Sequence, residues 1–457
     1  MSDIRQLTLG IDSSTQGVKA VAWDVAAGEV VFSAAVNYGR DLPQYGCPDG
    51  FLPSEAGSLV RHADPRMWIE GLELVLSRLQ ATGCPMEWIA AIGGDAQQHA
   101  TVCLESLEPL VFSRPTSPIW MDSSTAAECA ELEAAFGTRL QTDTGSPAIE
   151  RFAGPQIMKF ARTCPEAYAK TTRIHLLSSF LSSYLVGEDM PIDAGDGAGM
   201  NLLNLRTGTW DAEICEKTAP GLLPRLPGLA LRPGYARPLR ADFACFGLRP
   251  GIPVVPFTGD NPASLVGCFA ERPGTAVISL GTSDVFFAAM KDFHTDPDGY
   301  GHVFGNPKGG FMSLSCFKNG SLARERVKRE LGVDWTFFDE TAFAGRPADG
   351  IVRRAFPYFE AEITPKHAAT GIEANFDWAS ADAATKVRAV VEGQIANMRE
   401  RTRWIGDFDE IRVTGGASRS KGIRETIASV FGARVSAVDV TDSAAVGGAR
   451  LAEEVLR

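Results

Sequence analysis

Apolar and polar positions alternate with a period of two from the start of the chain. Leu7, Leu9 and Ile11 share one side of a strand, Asp12-Ser13-Ser14-Thr15-Gln16-Gly17 breaks the run as a turn, and Val18-Lys19-Ala20-Val21-Ala22-Trp23 returns before Ala27-Gly28 turns again. The period lengthens after Asp64-Pro65, where Trp68, Leu72, Val75 and Leu79 fall at helical spacing behind a capping aspartate. Trp88-Ile89-Ala90-Ala91-Ile92 reads as a strand running into Gly93-Gly94-Asp95-Ala96-Gln97-Gln98-His99. A helix through Glu128, Cys129 and Leu132 follows, with its cap expected within residues 122–125, and another polar loop starts at Ala148-Ile149-Glu150-Arg151-Phe152. The cluster Asp193-Ala194-Gly195-Asp196-Gly197-Ala198-Gly199-Met200 predicts a tight loop with positive φ angles.

Past the midpoint, Pro253-Val254-Val255-Pro256-Phe257 stops at Thr258-Gly259, presents Asp260-Asn261 side by side, and restarts as the small, apolar first turn of a helix. On local grounds Asp260 reads equally well as an N-cap before Pro262 and as a functional carboxylate. Residues 275–280, the turn Gly281-Thr282-Ser283-Asp284 and residues 285–289 then repeat the strand, hydroxyl-rich turn, strand pattern of residues 7–23. Two copies of one motif suggest two similar domains, each offering a phosphate-binding hairpin to a shared cleft. The last third alternates: a helix through Val387, Val391, Ile395 and Met398, a strand at 411–413, a loop at 414–420, a helix at 423–431, a strand at 435–440 and a final helix from Ser443. That is α/β layering. The proline-rich stretch 220–256 places a boundary near residue 250, giving domains 1–250 and 251–457.

Composition narrows the function classes. At 457 residues the chain fits two or three domains, each able to bury its own core. No apolar run approaches the roughly 18 residues of a membrane span, and Met1-Ser2-Asp3-Ile4-Arg5 enters a strand pattern rather than a signal-peptide core, so a cytoplasmic protein is expected. The nine cysteines are scattered and never spaced C-x-x-C, which argues against a zinc site or a disulfide framework. A net charge of -12 disfavours nucleic acid as a partner. It still permits a nucleotide, held by backbone N–H groups, a metal and a few cations. Neither GxGxxG nor GxxxxGK[ST] occurs, so dinucleotide and P-loop folds fit poorly.

Several stretches carry candidate chemistry. The turn after Asp12 exposes N–H groups that can cradle phosphate oxygens while Asp12 holds a metal ion. Gln97, Gln98 and His99 at a strand end suit a polyol, whose every hydroxyl needs a partner. Gly415-Gly416, between a strand and a helix, lets a nucleotide approach the backbone.

Taken in order, these segments resemble the FGGY carbohydrate kinase family. The resemblance is carried by Gly10-Ile11-Asp12-Ser13-Ser14-Thr15-Gln16, Gln97-Gln98-His99, Trp120-Met121-Asp122-Ser123-Ser124-Thr125, Glu150-Arg151-Phe152, residues 257–265, Ser279-Leu280-Gly281-Thr282-Ser283-Asp284, Cys316-Phe317-Lys318-Asn319-Gly320-Ser321 and residues 414–418. It implies two actin-like (ribonuclease H-like) α/β domains closing over a central cleft, and ATP-dependent phosphorylation of a ketopentose, D-xylulose at its 5-hydroxyl. Asp260 would be the general base, with Asn261, His99 and Arg151 on the sugar. Asp12 would serve Mg²⁺ and the phosphates, together with Ser13, Ser14, Thr15, Gly281, Thr282 and Ser283. Gly415, Gly416 and Ser420 would line the adenosine pocket, and Trp335 would pack on the adenine.

Two positions depart from the family pattern: Ser13-Ser14 stand where many members carry Gly-Thr, and Arg419-Ser420 where an Asn is expected. A kinase for ribulose or glycerol is the rival within the class. A non-catalytic sugar sensor and an actin-like ATPase are the rivals outside it. The partners implied are a sugar and ATP, without nucleic acid or membrane, acting alone or as a homodimer.

Overall fold

The alternation in the opening residues builds a meander. In the computed structural model, which describes residues 6–344, 350–438 and 442–457, strand β1 (Leu7–Ser13) pairs antiparallel with β2 (Gly17–Asp24), and β2 with β3 (Glu29–Asn37). The residues Met1 to Arg5 lie outside the described residues, as do positions 439–441. By contacts the chain divides into two units, one of Met1–Phe269, Val303–Phe311 and Asp442–Arg457, the other of Ala270–His302 and Met312–Thr441. The proline-rich stretch and the helix that begins at Asp260 both belong to the first unit.

In the first unit, helix α1 (Pro65–Ala81) is capped by the Asp64 carboxylate, which accepts from Arg66 N. It buries Trp68, Leu72, Val75 and Leu79 completely in the same core as Leu9 and Ile11. Each such side chain contributes about 1.5–3 kcal/mol relative to exposure. Strand β4 (Ile89–Ala96) is fully buried and lies parallel to β1. It runs on through Gly93, Gly94 and Asp95, beyond the residues 88–92 that read as a strand.

Helix α2 (Ala126–Phe136) forms where expected, but the Thr125 side chain at its N-cap does not cap it and donates to the Glu150 carbonyl at 2.5 Å. The Asp122 carboxylate accepts instead from Arg61 N and Ser124 N. The cluster at 193–200 is a correction. It is a short helix, Ala194–Gly197, continued as a 3-10 turn, and Asn201 rather than any of its glycines takes positive φ. Its Asp193 carboxylate caps the helix by accepting from Gly195 N and Asp196 N, so the glycines serve close packing and not a left-handed turn.

Strands β5 (Pro253–Val254) and β6 (Thr258–Gly259) both pair parallel to β4, and helix α3 (Asp260–Gly267) follows at once. In the second unit, β7 (Thr275–Leu280) pairs antiparallel with β8 (Asp284–Met290) and parallel with β10 (Glu410–Thr414). Strand β9 (Phe311–Phe317) flanks β8 and β11 (Arg434–Ala437) flanks β10, giving the order β9-β8-β7-β10-β11. Further helices include α4 (Ser321–Leu331), α5 (Ala383–Thr402), α6 (Lys421–Phe431) and α7 (Ser443–Glu453). The internal repeat is therefore real in topology: each unit has a hairpin whose first strand is also parallel to a later one.

Helix α7 returns to the first unit and fixes α3. A Cβ at Gly267 would lie 1.8 Å from the Ser443 carbonyl oxygen, and one at Gly447 1.9 Å from that of Ala263. The two helices touch backbone to backbone, which leaves α3 little freedom to shift. No described helix is long and apolar enough to cross a membrane.

Candidate active site

Three carboxyls meet at the strand ends of the first unit. Asp12 and Asp95 are register partners on β1 and β4, and Thr258, two residues before Asp260, is the partner of Asp95 on β6. Parallel neighbours in register point to the same face, so the carboxyls converge. The Asp12 carboxylate is buried and accepts from Ser14 Oγ at 2.7 and 2.8 Å. Burial raises its pKa, opposed by the Ser14 bond. Asp95 is wholly buried, and neither oxygen meets an N–H or alcohol donor. Burial, then the neighbouring Asp12 and Asp260 charges, hold it well above the usual carboxylate range.

Asp260 is the first residue of α3, and the capping position belongs to Gly259, which makes no side-chain bond. The cap reading is thus replaced by another: Asp260 Oδ1 accepts from the Asn261 backbone N–H at 2.8 Å and from Asn261 Nδ2 at 3.0 Å. Asn261 Nδ2 also donates to Gln98 Oε1 at 3.0 Å. Burial, then the Asp12 charge, pushes Asp260 up to about 7. A carboxyl poised there exchanges protons at neutral pH, which is the property of a general base.

The candidate sugar residues lie in the same unit. His99 is nearly buried, holds φ at 73°, stacks on Phe152 at 4.5 Å and sits with Nδ1 3.1 Å from the Gly199 carbonyl. A left-handed conformation at a non-glycine residue is uncommon and clusters at functional sites. The Arg151 guanidinium lies 5.9 Å from the centre of the same Phe152 ring, so His99 and Arg151 share one aromatic support. In the turn, the Ser13 hydroxyl bonds to Tyr38 Oη at 2.9 Å inside the core, and the Ser13 carbonyl accepts from Gln97 N at 2.9 Å. Thr15 Oγ1 donates to Gln97 Oε1 at 3.3 Å and accepts from the indole N–H of Trp120 at 2.8 Å. Trp120 is 45% exposed and adjoins this turn. Local pattern had marked it only as part of a helix-opening segment, and nothing near it in sequence signals that contact.

In the second unit the turn between β7 and β8 leaves Thr282 exposed. Gly415 holds φ at 89°, and a Cβ there would lie 2.4 Å from the Leu280 carbonyl oxygen. The Gly415-Gly416 loop therefore packs against the base of the Gly281-Thr282-Ser283 turn, while Gly416 faces open space. Trp335 begins a short helix, is 42% exposed, and carries Lys328 Nζ 4.8 Å over its ring. Ser420 is buried and its hydroxyl caps α6 by accepting from Ile423 N at 3.3 Å. The structure brings Gly281, Gly415 and Gly416 together, and shows no direct bond from them to Trp335 or Ser420.

Among the described residues no three His, Cys, Asp or Glu side chains cluster in metal-binding geometry. The Asp12 and Asp95 pair still suits a magnesium ion. It offers hard oxygen donors, two of them buried away from any N–H or alcohol donor, and Mg²⁺ takes one or two carboxylates and completes its shell with water and phosphate.

Residues 7–267 match the N-terminal domain, and residues 276–453 the C-terminal domain, of the FGGY family of carbohydrate kinases. The chain belongs to that family and is a carbohydrate kinase, a phosphotransferase. A protein of Rattus norvegicus named xylulose kinase is 37% identical over 476 residues, covering 97% of this chain and 87% of that one. Xylulose kinase 2 of Arabidopsis thaliana is 36% identical, covering 97% and 86%. Among solved structures, a xyloylose kinase from Brucella ovis matches with a TM-score of 0.84 at 27% identity over 98% of this chain and 90% of that one. A glycerol kinase from Plasmodium falciparum, solved with ADP, matches at 0.81 and 17% identity over 99% and 90%, a likeness of fold. The fold is the two-domain, actin-like (ribonuclease H-like) one of these kinases.

Proposed function

We propose that this protein transfers the γ-phosphoryl group of ATP to the 5-hydroxyl of D-xylulose. The observation that carries the reading is Asp260: a half-buried carboxyl at a helix start, oriented by two N–H bonds from Asn261 and pushed up to about 7. The relatives named xylulose kinase supply the acceptor.

In this reading His99, Arg151 and Asn261 bind the sugar and bring its primary hydroxyl to Asp260. The carboxylate takes the hydroxyl proton as the oxygen bonds to the γ-phosphorus and ADP leaves, which is worth about 10²–10⁴ in rate. Backbone N–H groups of Ser13, Ser14 and Thr15, and of Gly281, Thr282 and Ser283, cradle the phosphates. Gly415 and Gly416 admit adenosine close to the backbone, with Ser420 behind them and Trp335 as a stacking surface. Asp12 would hold Mg²⁺, which supplies charge neutralisation to the phosphates when bound. Residues 1–250 supply sugar and phosphate contacts, and residues 251–457 the base, the Asn261 contact to the sugar and the nucleotide contacts, those to its phosphates included. Nine cysteines scattered singly and never spaced C-x-x-C suit a reducing compartment, the cytoplasm.

The test is purified protein with Mg-ATP and a panel of D-xylulose, D-ribulose, L-ribulose and glycerol. ADP release that requires D-xylulose is expected. Release with another member alone replaces the acceptor, and release without any sugar sinks the reading.

A further inference from the structure

We infer that Arg324 is the positioning residue of the Gly281-Thr282-Ser283 turn, acting on it through Asp284. The inference rests on the proposal that this turn holds the phosphates of ATP.

Arg324 sits in the first turn of α4 and is 2% exposed, too buried to touch a ligand. Its guanidinium grips Asp284 with both arms, Nη1 to Oδ2 at 2.7 Å and Nη2 to Oδ1 at 2.8 Å. Asp284 follows Ser283 directly, so the fork holds the exit of the turn. The Nη groups bond further acceptors, Nη2 to Ser321 Oγ at 2.7 Å and Nη1 to Gln394 Oε1 at 3.1 Å. Gln394 in turn donates to the Asn319 carbonyl at 2.6 Å. The entry of the turn is held from the same helix, whose Ser321 N–H donates to the Gly281 carbonyl at 3.1 Å. Between them Gly320 lies so close that a Cβ would stand 2.5 Å from Asp284 N and 2.7 Å from Ser283 C.

A short turn with an exposed tip has few apolar contacts and opens readily by itself. Here both of its ends are tied to one helix start. A planar guanidinium can hold a carboxylate bidentately and also bond two further acceptors, which a lysine ammonium does not reproduce. The pair also cancels its own charge. Without Arg324, an unpaired buried carboxylate would stand directly beneath a turn that binds phosphate.

The experiment compares wild type with Arg324→Met, Arg324→Lys and Asp284→Asn, by calorimetric titration of ADP and of D-xylulose and by amide hydrogen exchange of residues 281–284. In Arg324→Met, ADP affinity is expected to fall, and KM for ATP to rise, by about tenfold or more, with faster exchange in the turn. D-xylulose affinity should stay within about twofold, since that ligand is assigned to other residues. Arg324→Lys should recover only part of the loss, and adding Asp284→Asn to Arg324→Met should cost nothing more. Wild-type ADP affinity and exchange in Arg324→Met overturn the inference. So do additive losses in the double variant, or equal losses for both ligands, which mark general unfolding. If wild type binds no ADP, the phosphate reading of the turn falls. If wild type binds ADP and turns over no D-xylulose, only the proposed reaction falls.

Discussion

The two hairpin turns share a backbone plan and differ in where they keep their carboxylate. In the first unit Asp12 precedes the turn, accepts from Ser14, and faces the wholly buried Asp95 with Asp260 nearby. In the second unit Asp284 follows the turn and is locked to the buried Arg324. One acid is bonded within its own turn; the other is bonded to a buried guanidinium on a neighbouring helix. The same topology thus places a cluster of carboxyls beside one turn and an internally paired carboxylate beside the other. That division is what a phosphoryl transfer needs, because the base and metal side must carry negative charge and the phosphate side must not.

The largest effect is expected at Asp260. Asp260→Ala should lower kcat by about 10²–10⁴ with the circular dichroism spectrum and melting behaviour retained. A drop of less than about tenfold would leave the first unit without its base. The next contrast compares the two turns directly. Asp12→Asn should cost about a hundredfold in kcat at saturating Mg-ATP, and Asp284→Asn no more than about threefold, its loss falling on KM for ATP. Equal losses in kcat would erase the distinction between the two carboxylates.

A third expectation concerns pH. Asp260 must be ionised to accept a proton and titrates at about 7, so kcat/KM for the sugar should rise with pH through that value and level off above it. A flat profile between pH 6 and 8 would move the base elsewhere. The smallest effect is on stability. The folded-state pKa of Asp260 is raised, so its carboxyl favours the folded protein below the ordinary value near 3.8, and that contribution is lost as pH climbs through about 7. Asp260→Asn should therefore be more stable than wild type at pH 8 by about 1–2 kcal/mol, while inactive. Denaturant titration at pH 5 and pH 8 reads the difference, which should shrink at the lower pH.

Both hairpins, the Asp64-capped helix and the alternating last third were legible because their periodicity and turn residues are local signals. The cluster at 193–200 was misread for a local reason too: three glycines suggest positive φ, whereas here they permit close packing in an Asp193-capped helix. What the sequence hid is long-range. The return of α7 to the first unit is set by contacts of Gly447 and Gly267 across nearly 200 positions, which no window reveals. Asp95 follows the residues 88–92 that read as a strand, and only its register with Asp12 brings the two carboxyls together. Arg324 lies in Arg324-Glu325-Arg326-Val327-Lys328-Arg329, a stretch with the composition of a solvated helix face, and its burial follows from Asp284, forty residues away.

The central claim is that a sugar hydroxyl, deprotonated by Asp260, receives the γ-phosphoryl group. Phosphorus NMR of a reaction of the purified protein with D-xylulose and Mg-ATP tests it most directly. The account predicts one phosphate monoester at the C5 oxygen for each ADP formed, and neither product with Asp260→Asn. Inorganic phosphate in place of the ester, or an undiminished ester yield with Asp260→Asn, would contradict it.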